Sequence, residues 1–338
     1  MKRGVLLLLT LWVVGLRAES LELAWPTPNR AWLEGRPIRD FIQPTESGEP
    51  ESGCFGCVRS NGYQFHEGID IKPVRRDSRG EPLDDVFAAL PGVVRYVNLR
   101  PGESSYGRYI VLEHPSVTPA IYTLYAHLAS VAPGIAPGAQ VQRSQVIARM
   151  GHSAGGYAIP LARAHLHFEM GVMVTRDFQS WYDWKKFRSP NEHGIWNGMN
   201  LMGFDPLDFL RKFRARQVSG FQDYFSKMQP AVRVRIATKT VPDFVARYPS
   251  LLTRPLPPGS AVAGWEITCN WTGLPFAWTP LTPAEVAGLA SNQPMIAWAD
   301  FDLQRYHHCK SIVRVRGSGY VPGTDLGIVL QQLFGLRD

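Results

Sequence analysis

Between Cys54 and about Leu210 the apolar residues come in short alternating runs, with no long helical stripe among them. "DDVFAALPGVVRYVNL", "YGRYIVLEHP", "AIYTLYAHL" and "HLHFEMGVMV" follow one another, separated by Gly and Pro. A period of two buries one face of a strand, and Gly and Pro punctuate the turns between strands. The region is therefore expected to be mostly β. Residues 176–203 are aromatic and polar without a clear period and read as an ordered loop or insertion. "DPLDFLRKFRARQ", from Asp205, reads as a short helix or turn that ends the domain.

Beyond about Gly220 the texture changes. "AVRVRIATKTV", "GWEITCNWTG", "MIAWADFDLQ" and "SIVRVRGSGYV" suggest a second, smaller β-rich unit over 220–338, with "TPAEVAGLA" as a short helix capped by Thr282. At 338 residues the chain exceeds one usual core, consistent with two domains. Residues 19–47, rich in Pro, Trp and Arg, are expected to wrap the surface of a domain spanning 48–212. No internal repeat relates the two halves.

The first residues, "MKRGVLLLLTLWVVGLRAES", place Lys2 and Arg3 before an apolar run from Gly4 to Leu16 that is short for a membrane span. They read as a secretory signal over 1–18, cut after Ala18, with a retained signal anchor as the alternative. Loss of Lys2, Arg3 and Arg17 takes the formal charge from +7 to +4, too small and too dispersed an excess for a nucleic-acid partner. In an exported chain, four cysteines read as disulfides. The expected pairs are Cys54–Cys57 and Cys269–Cys309, each within one apparent unit. A redox site at "CFGC" is disfavoured because "VRSNGYQF" follows where its helix would begin.

"YQFHEGIDIKP", residues 63–73, begins like an H-E-x-x-H zinc helix and then departs from it, since Asp70 stands where the second histidine would be. Gly68 disfavours a helix, and Ile69 and Ile71 favour a strand. On one strand His66, Gly68 and Asp70 would share a face, with Gly68 leaving room for an ion or its water, while Glu67 points away. A solvated strand face with two polar residues is the plainer reading. A catalytic zinc normally takes three protein ligands. "RAHLHFEM" offers His165 and His167, which face one way only on a strand, and His127 ends "IYTLYAHL".

Taken together these residues resemble the lysostaphin-type, or LytM-like, zinc metallopeptidases that cut peptidoglycan peptides. The likeness covers about residues 54–210. The family's H-x-G-x-D stands as His66–Asp70, its Tyr-x-His-Leu as Tyr125–Leu128, and its H-x-H-F-E as His165–Glu169. The resemblance implies a compact antiparallel β-sheet with a groove whose floor holds one zinc ion on His66, Asp70 and His167, with His127 and His165 as catalytic residues lining it. One imidazole would serve as general base and the other as oxyanion donor, their roles left open. Glu169 is either an orienting partner of a ligand ring or an ordinary structural carboxylate. The implied enzyme is a secreted or periplasmic zinc endopeptidase acting on cell-wall peptides, its scissile bond undetermined.

Other histidines read as structural or solvated: His114, the loop residues His152 and His193, and His307 and His308 of "RYHHCK". Two rival functions remain. One is a non-enzymatic relative that binds the wall or activates another hydrolase, and such members typically lack a metal residue. The other is a wall-binding protein in which Trp265, Trp271, Trp278 and Trp298 stack on glycan, against the commoner fate of Trp as core.

Overall fold

A computed structural model describes residues 21–257 and 262–337, so the signal segment 1–18 lies outside the described residues. The architecture is mostly β and antiparallel. The main sheet has seven strands. Its order is Leu201–Phe204, Leu166–Met173, Ile121–Ala126, Tyr109–His114, Gly92–Asn98 and Gln140–Val141, with the short Ile69–Ile71 strand also paired to Leu166–Met173. A three-stranded sheet, Asp85–Phe87, Val146–Met150 and Leu128–Val131, lies beside it. The strand Leu166–Met173 is buried along its whole length. Alternation sends Leu166, Phe168, Met170 and Val172 into the main core. His167 and Glu169 are left on the opposite face.

Several elements depart from the expectations above. The 176–203 segment contains the helix Phe178–Lys185, whose Phe178, Trp181 and Tyr182 are buried, and its end is already the edge strand starting at Leu201. Residues 282–290 form turns instead of a helix, although Thr282 does donate its N–H and hydroxyl to Glu285 Oε2. The chain ends in a helix, Thr324–Phe334, whose Gly- and Gln-containing sequence hid its apolar face. The 21–47 segment does more than wrap the surface, since Trp25, Phe41 and Ile42 enter the core. The helix at Asp205 does form over Pro206–Arg214, with Asp205 accepting from the N–H groups of Leu207 and Asp208.

The distal unit is built on a four-stranded antiparallel sheet, Pro275–Leu281, Gly264–Cys269, Val232–Ala237 and Met295–Ala299, plus the hairpin Val313–Arg316 with Gly319–Pro322. Trp265 and Trp278 are buried in it, while Trp298 is 43% exposed. One hydrophobic cluster runs from Trp25 through Phe168 to Trp265 and Leu333, joining both units. Arg247 donates to the carbonyls of Met173 and Val174, and the Tyr248 hydroxyl accepts from Met173 N–H.

The expected disulfides are not formed. Cys57 bonds Cys309, with Cα atoms 5.6 Å apart, and Cys54 and Cys269 are free thiols. The sequence-local pairing fails because Cys57 enters the Gly56–Arg59 strand while Cys54 Sγ turns toward the Pro50 carbonyl. Cys269 is sealed in the distal sheet. The bond therefore joins the two units covalently.

Candidate metal centre

The "HEGID" stretch is two strands, not one: Gln64–His66 pairs with Gly56–Arg59 in a hairpin, and Ile69–Ile71 pairs with Leu166–Met173, placing Asp70 opposite His167. Gly68 links them. A Cβ there would sit 2.3 Å from the Phe168 carbonyl oxygen and 3.0 Å from Glu169 Cγ, so the missing side chain admits the neighbouring strand and makes no room for an ion.

His66, Asp70 and His167 converge, all buried, with one potential ligand atom from each within 4.8 Å of the others. His66 Nε2 is 3.0 Å from His167 Nδ1 and 3.1 Å from Asp70 Oδ1, and His167 Nδ1 is 3.0 Å from the same oxygen. The ring tautomers follow from the far side of each imidazole. His66 Nδ1 lies 2.8 Å from the Cys54 carbonyl, which can only accept, so that nitrogen carries the proton. His167 Nε2 lies 3.0 Å from Glu169 Oε1 and donates to it. His66 Nε2, His167 Nδ1 and Asp70 Oδ1 thus crowd one point, where a proton on His167 Nδ1 or a cation lies between them. Two imidazoles and one carboxylate are a donor set that suits zinc, which would take the place of that proton. Ligands about 2.0–2.1 Å from a tetrahedral zinc stand roughly 3.3 Å apart, close to the separations seen here.

The second pair of histidines is arranged alike. His127 sits in the tight link between Ile121–Ala126 and Leu128–Val131 at φ 61°, and its Nδ1 donates to the Ser153 carbonyl at 2.8 Å. His165 bridges to Gly151 just before the Leu166–Met173 strand, and its Nδ1 donates to the Arg163 carbonyl at 2.6 Å. Their rings pack edge to face with centroids 4.9 Å apart, and His165 Nε2 lies 3.5 Å from Asp70 Oδ1. Each therefore turns a bare Nε2 inward.

Burial first, and then the His165 and His167 rings, hold the His127 imidazole well below its ordinary range. Burial also lowers His165, partly offset by the Asp70 charge. For Asp70, burial alone would raise the carboxyl, but His66, His165 and the His167 hydrogen bond outweigh it and hold it well below the carboxylate range. For His167, burial lowers the ring, yet its hydrogen bonds to Asp70 and Glu169 push it up to about 9.

Three supporting groups carry no signal in the sequence pattern. Arg59 Nη2 donates to Asp70 Oδ2 at 2.5 Å, fixing the carboxylate so that Oδ1 faces the histidines. Tyr106 and Tyr122 donate to the two oxygens of Glu169 at 2.6 and 2.8 Å. Burial, followed by the Glu169 charge, raises both phenols well above their ordinary value, so they remain donors. Glu169 thus orients His167. Elsewhere, His193 is buried and bonded to Tyr96 and the Glu103 carbonyl, and His114 is sealed in the core.

The family model described as Peptidase family M23 matches residues 64–177. Among solved structures, a zinc-containing peptidase from Vibrio cholerae is 30% identical over 31% of this chain and 26% of its own, with a TM-score of 0.23. The catalytic domain of lysostaphin from Staphylococcus simulans is 18% identical over 47% of this chain and 87% of its own, with a TM-score of 0.28. The catalytic domain of a prophage-encoded M23 protein from Enterococcus faecalis is 19% identical over 38% of this chain and 79% of its own, with a TM-score of 0.27. This chain therefore spans about a quarter of the length of the Vibrio cholerae peptidase. No curated protein matches it.

Proposed function

From the match of residues 64–177 to the model of Peptidase family M23, we propose that this protein is an exported zinc endopeptidase that hydrolyses peptide bonds of bacterial peptidoglycan. The observation that carries the reading is the convergence of His66 Nε2, Asp70 Oδ1 and His167 Nδ1 at mutual distances of 3.0 to 3.1 Å. These residues would hold one zinc per chain, which when bound supplies a Lewis acid that acidifies water and polarises the scissile carbonyl.

The remaining chemistry falls to the protein. His165 and His127 each present an unprotonated Nε2 toward the site, because their Nδ1 atoms are committed to backbone carbonyls. His165, nearest the Asp70 carboxylate, has its imidazolium stabilised by that charge and takes the proton of the attacking water. It returns the proton to the departing amine. His127 faces the same space from the opposite strand link, and its bare Nε2 accepts a hydrogen bond from the attacking water and orients it. Buried surroundings strengthen both interactions.

Digestion of purified peptidoglycans of different crosslink chemistry, with fragments identified by mass spectrometry, tests the reading. New amino termini within the peptides are expected. A zinc-loaded protein that releases no fragment from any of them would point instead to a non-enzymatic wall-binding relative. No described helix is long and apolar enough to cross a membrane.

A further inference from the structure

Four consecutive residues of the distal unit, His307 to Lys310, dock on the hairpin that carries His66. His307 stacks on Trp271 with ring centroids 3.7 Å apart, and Trp271 in turn packs edge-on against Phe55 and Phe65. His308 meets Tyr63 at 4.6 Å and lies over Gly62, where a Cβ would come within 3.1 Å of its ring. Cys309 is bonded to Cys57, and Lys310 Nζ stands 4.2 Å from the centroid of Phe65. His308, Cys309 and Lys310 each have a partner on the hairpin side, and His307 braces Trp271 of its own unit against Phe55 and Phe65, so the docking is a fitted junction.

Beside the junction lies a cleft of about 920 Å³ with walls from three parts of the chain: Phe65, Glu67 and Tyr106 near the metal centre, Phe187 from the 176–203 insertion, and Lys310 and Ile328 from the distal unit. Its volume is in the range of small-ligand sites. It borders the candidate metal centre without being lined by any of its five residues: Glu67 directly follows His66, and the Tyr106 ring lies 5.5 Å from His167. Phe187 and Met199 remain 40% and 44% exposed within it, large apolar side chains left open to an occupant.

We infer that the distal unit forms one wall of the substrate cleft, and that the disulfide-held segment His307–Lys310 fixes the distance of that wall from the metal centre. The inference rests on the proposed peptidase reaction. The occupant is an extended peptide: Phe187 and Ile328 cover its apolar side chains, and Glu67 together with the Lys310–Asp325 pair, 3.4 Å apart, meets its polar groups. Contacts made away from the scissile bond favour long substrates over short ones.

The test uses the full-length, zinc-loaded protein and two synthetic peptides: a short one spanning only the bond cut in peptidoglycan, and one extended by several residues on both sides. The wild type is expected to prefer the long peptide in kcat/KM. Lys310→Ala and Phe187→Ala should each shrink that preference about tenfold, the scale of one well-packed contact, mainly through KM for the long peptide and with zinc content retained. Phe187 is exposed, so its variant reports on the cleft even if Lys310→Ala loosens the junction. Equal preference in wild type and in variants that keep zinc would overturn the inference, as would a wild type that cuts both peptides equally well. A zinc-loaded wild type that cuts neither peptide would overturn the reaction and this inference with it.

Discussion

At the scale of the residue, the candidate site is a set of committed hydrogen bonds that turns one atom per side chain toward a common point. Each of the four histidines spends one ring nitrogen on a backbone carbonyl or on Glu169, which decides what the other can do. The spacing of H-x-G-x-D, Y-x-H and H-x-H made the five inward-facing side chains legible. Arg59 was not, because a lone arginine in a turn-rich stretch announces nothing until Asp70 is placed beside it. Replacing Arg59 with Met leaves Asp70 Oδ2 without its donor and frees the carboxylate to rotate. Zinc affinity, measured by competition with a chelator, should fall roughly 10- to 100-fold, and Arg59→Lys should recover part of the loss. His127→Ala and His165→Ala, in contrast, should keep zinc and lose about 100-fold or more in turnover. A metal-free protein in either case would make that histidine a ligand.

At the scale of the element, period-two alternation revealed the strands because it is local, while the helices at Phe178–Lys185 and Thr324–Phe334 were missed because their apolar faces are completed by tertiary neighbours. Trp181 of the first reaches Gln331 of the second, a contact of residues 150 apart in sequence. Gly68 was recognised as special for the wrong reason: the constraint is the approach of the Leu166–Met173 backbone, invisible without the pairing. Gly68→Ala should therefore destabilise the fold by about 1–3 kcal/mol in urea unfolding, as overpacking against a backbone does. His114, on the Tyr109–His114 strand, donates Nδ1–H to the Pro91 carbonyl, and burial pushes the ring down to about 4. The unfolded chain takes this proton near pH 6.5 and the folded one only near 4. The contribution of neutral His114 is thus present above about pH 6.5 and lost as pH falls toward 4, by up to roughly 3 kcal/mol. The unfolding midpoint of His114→Asn should vary less over that window than that of the wild type, and parallel curves would contradict the assignment.

At the scale of the whole molecule, the two units share one core and one covalent tie. Arg247 and Tyr248, from the region beyond residue 220, bond the end of the strand that carries His167. Cysteine pairing was illegible for the same reason: Cys57 and Cys309 are 252 positions apart, and only the packing of the distal unit on the first hairpin brings them together. A loop of that size corresponds to roughly 5 kcal/mol in the chain-entropy account, so Cys57→Ser with Cys309→Ser should lower the unfolding midpoint substantially. Non-reducing peptide mapping should recover the Cys57–Cys309 crosslink, and a Cys54–Cys57 fragment would contradict it. The central claim is that His66, Asp70 and His167 hold a zinc ion on which peptide hydrolysis depends, and metal analysis of the wild type beside Asp70→Ala tests it most directly. About one zinc per chain in the wild type, with metal and activity lost together in the variant, is the predicted result, and full zinc occupancy in Asp70→Ala would contradict it.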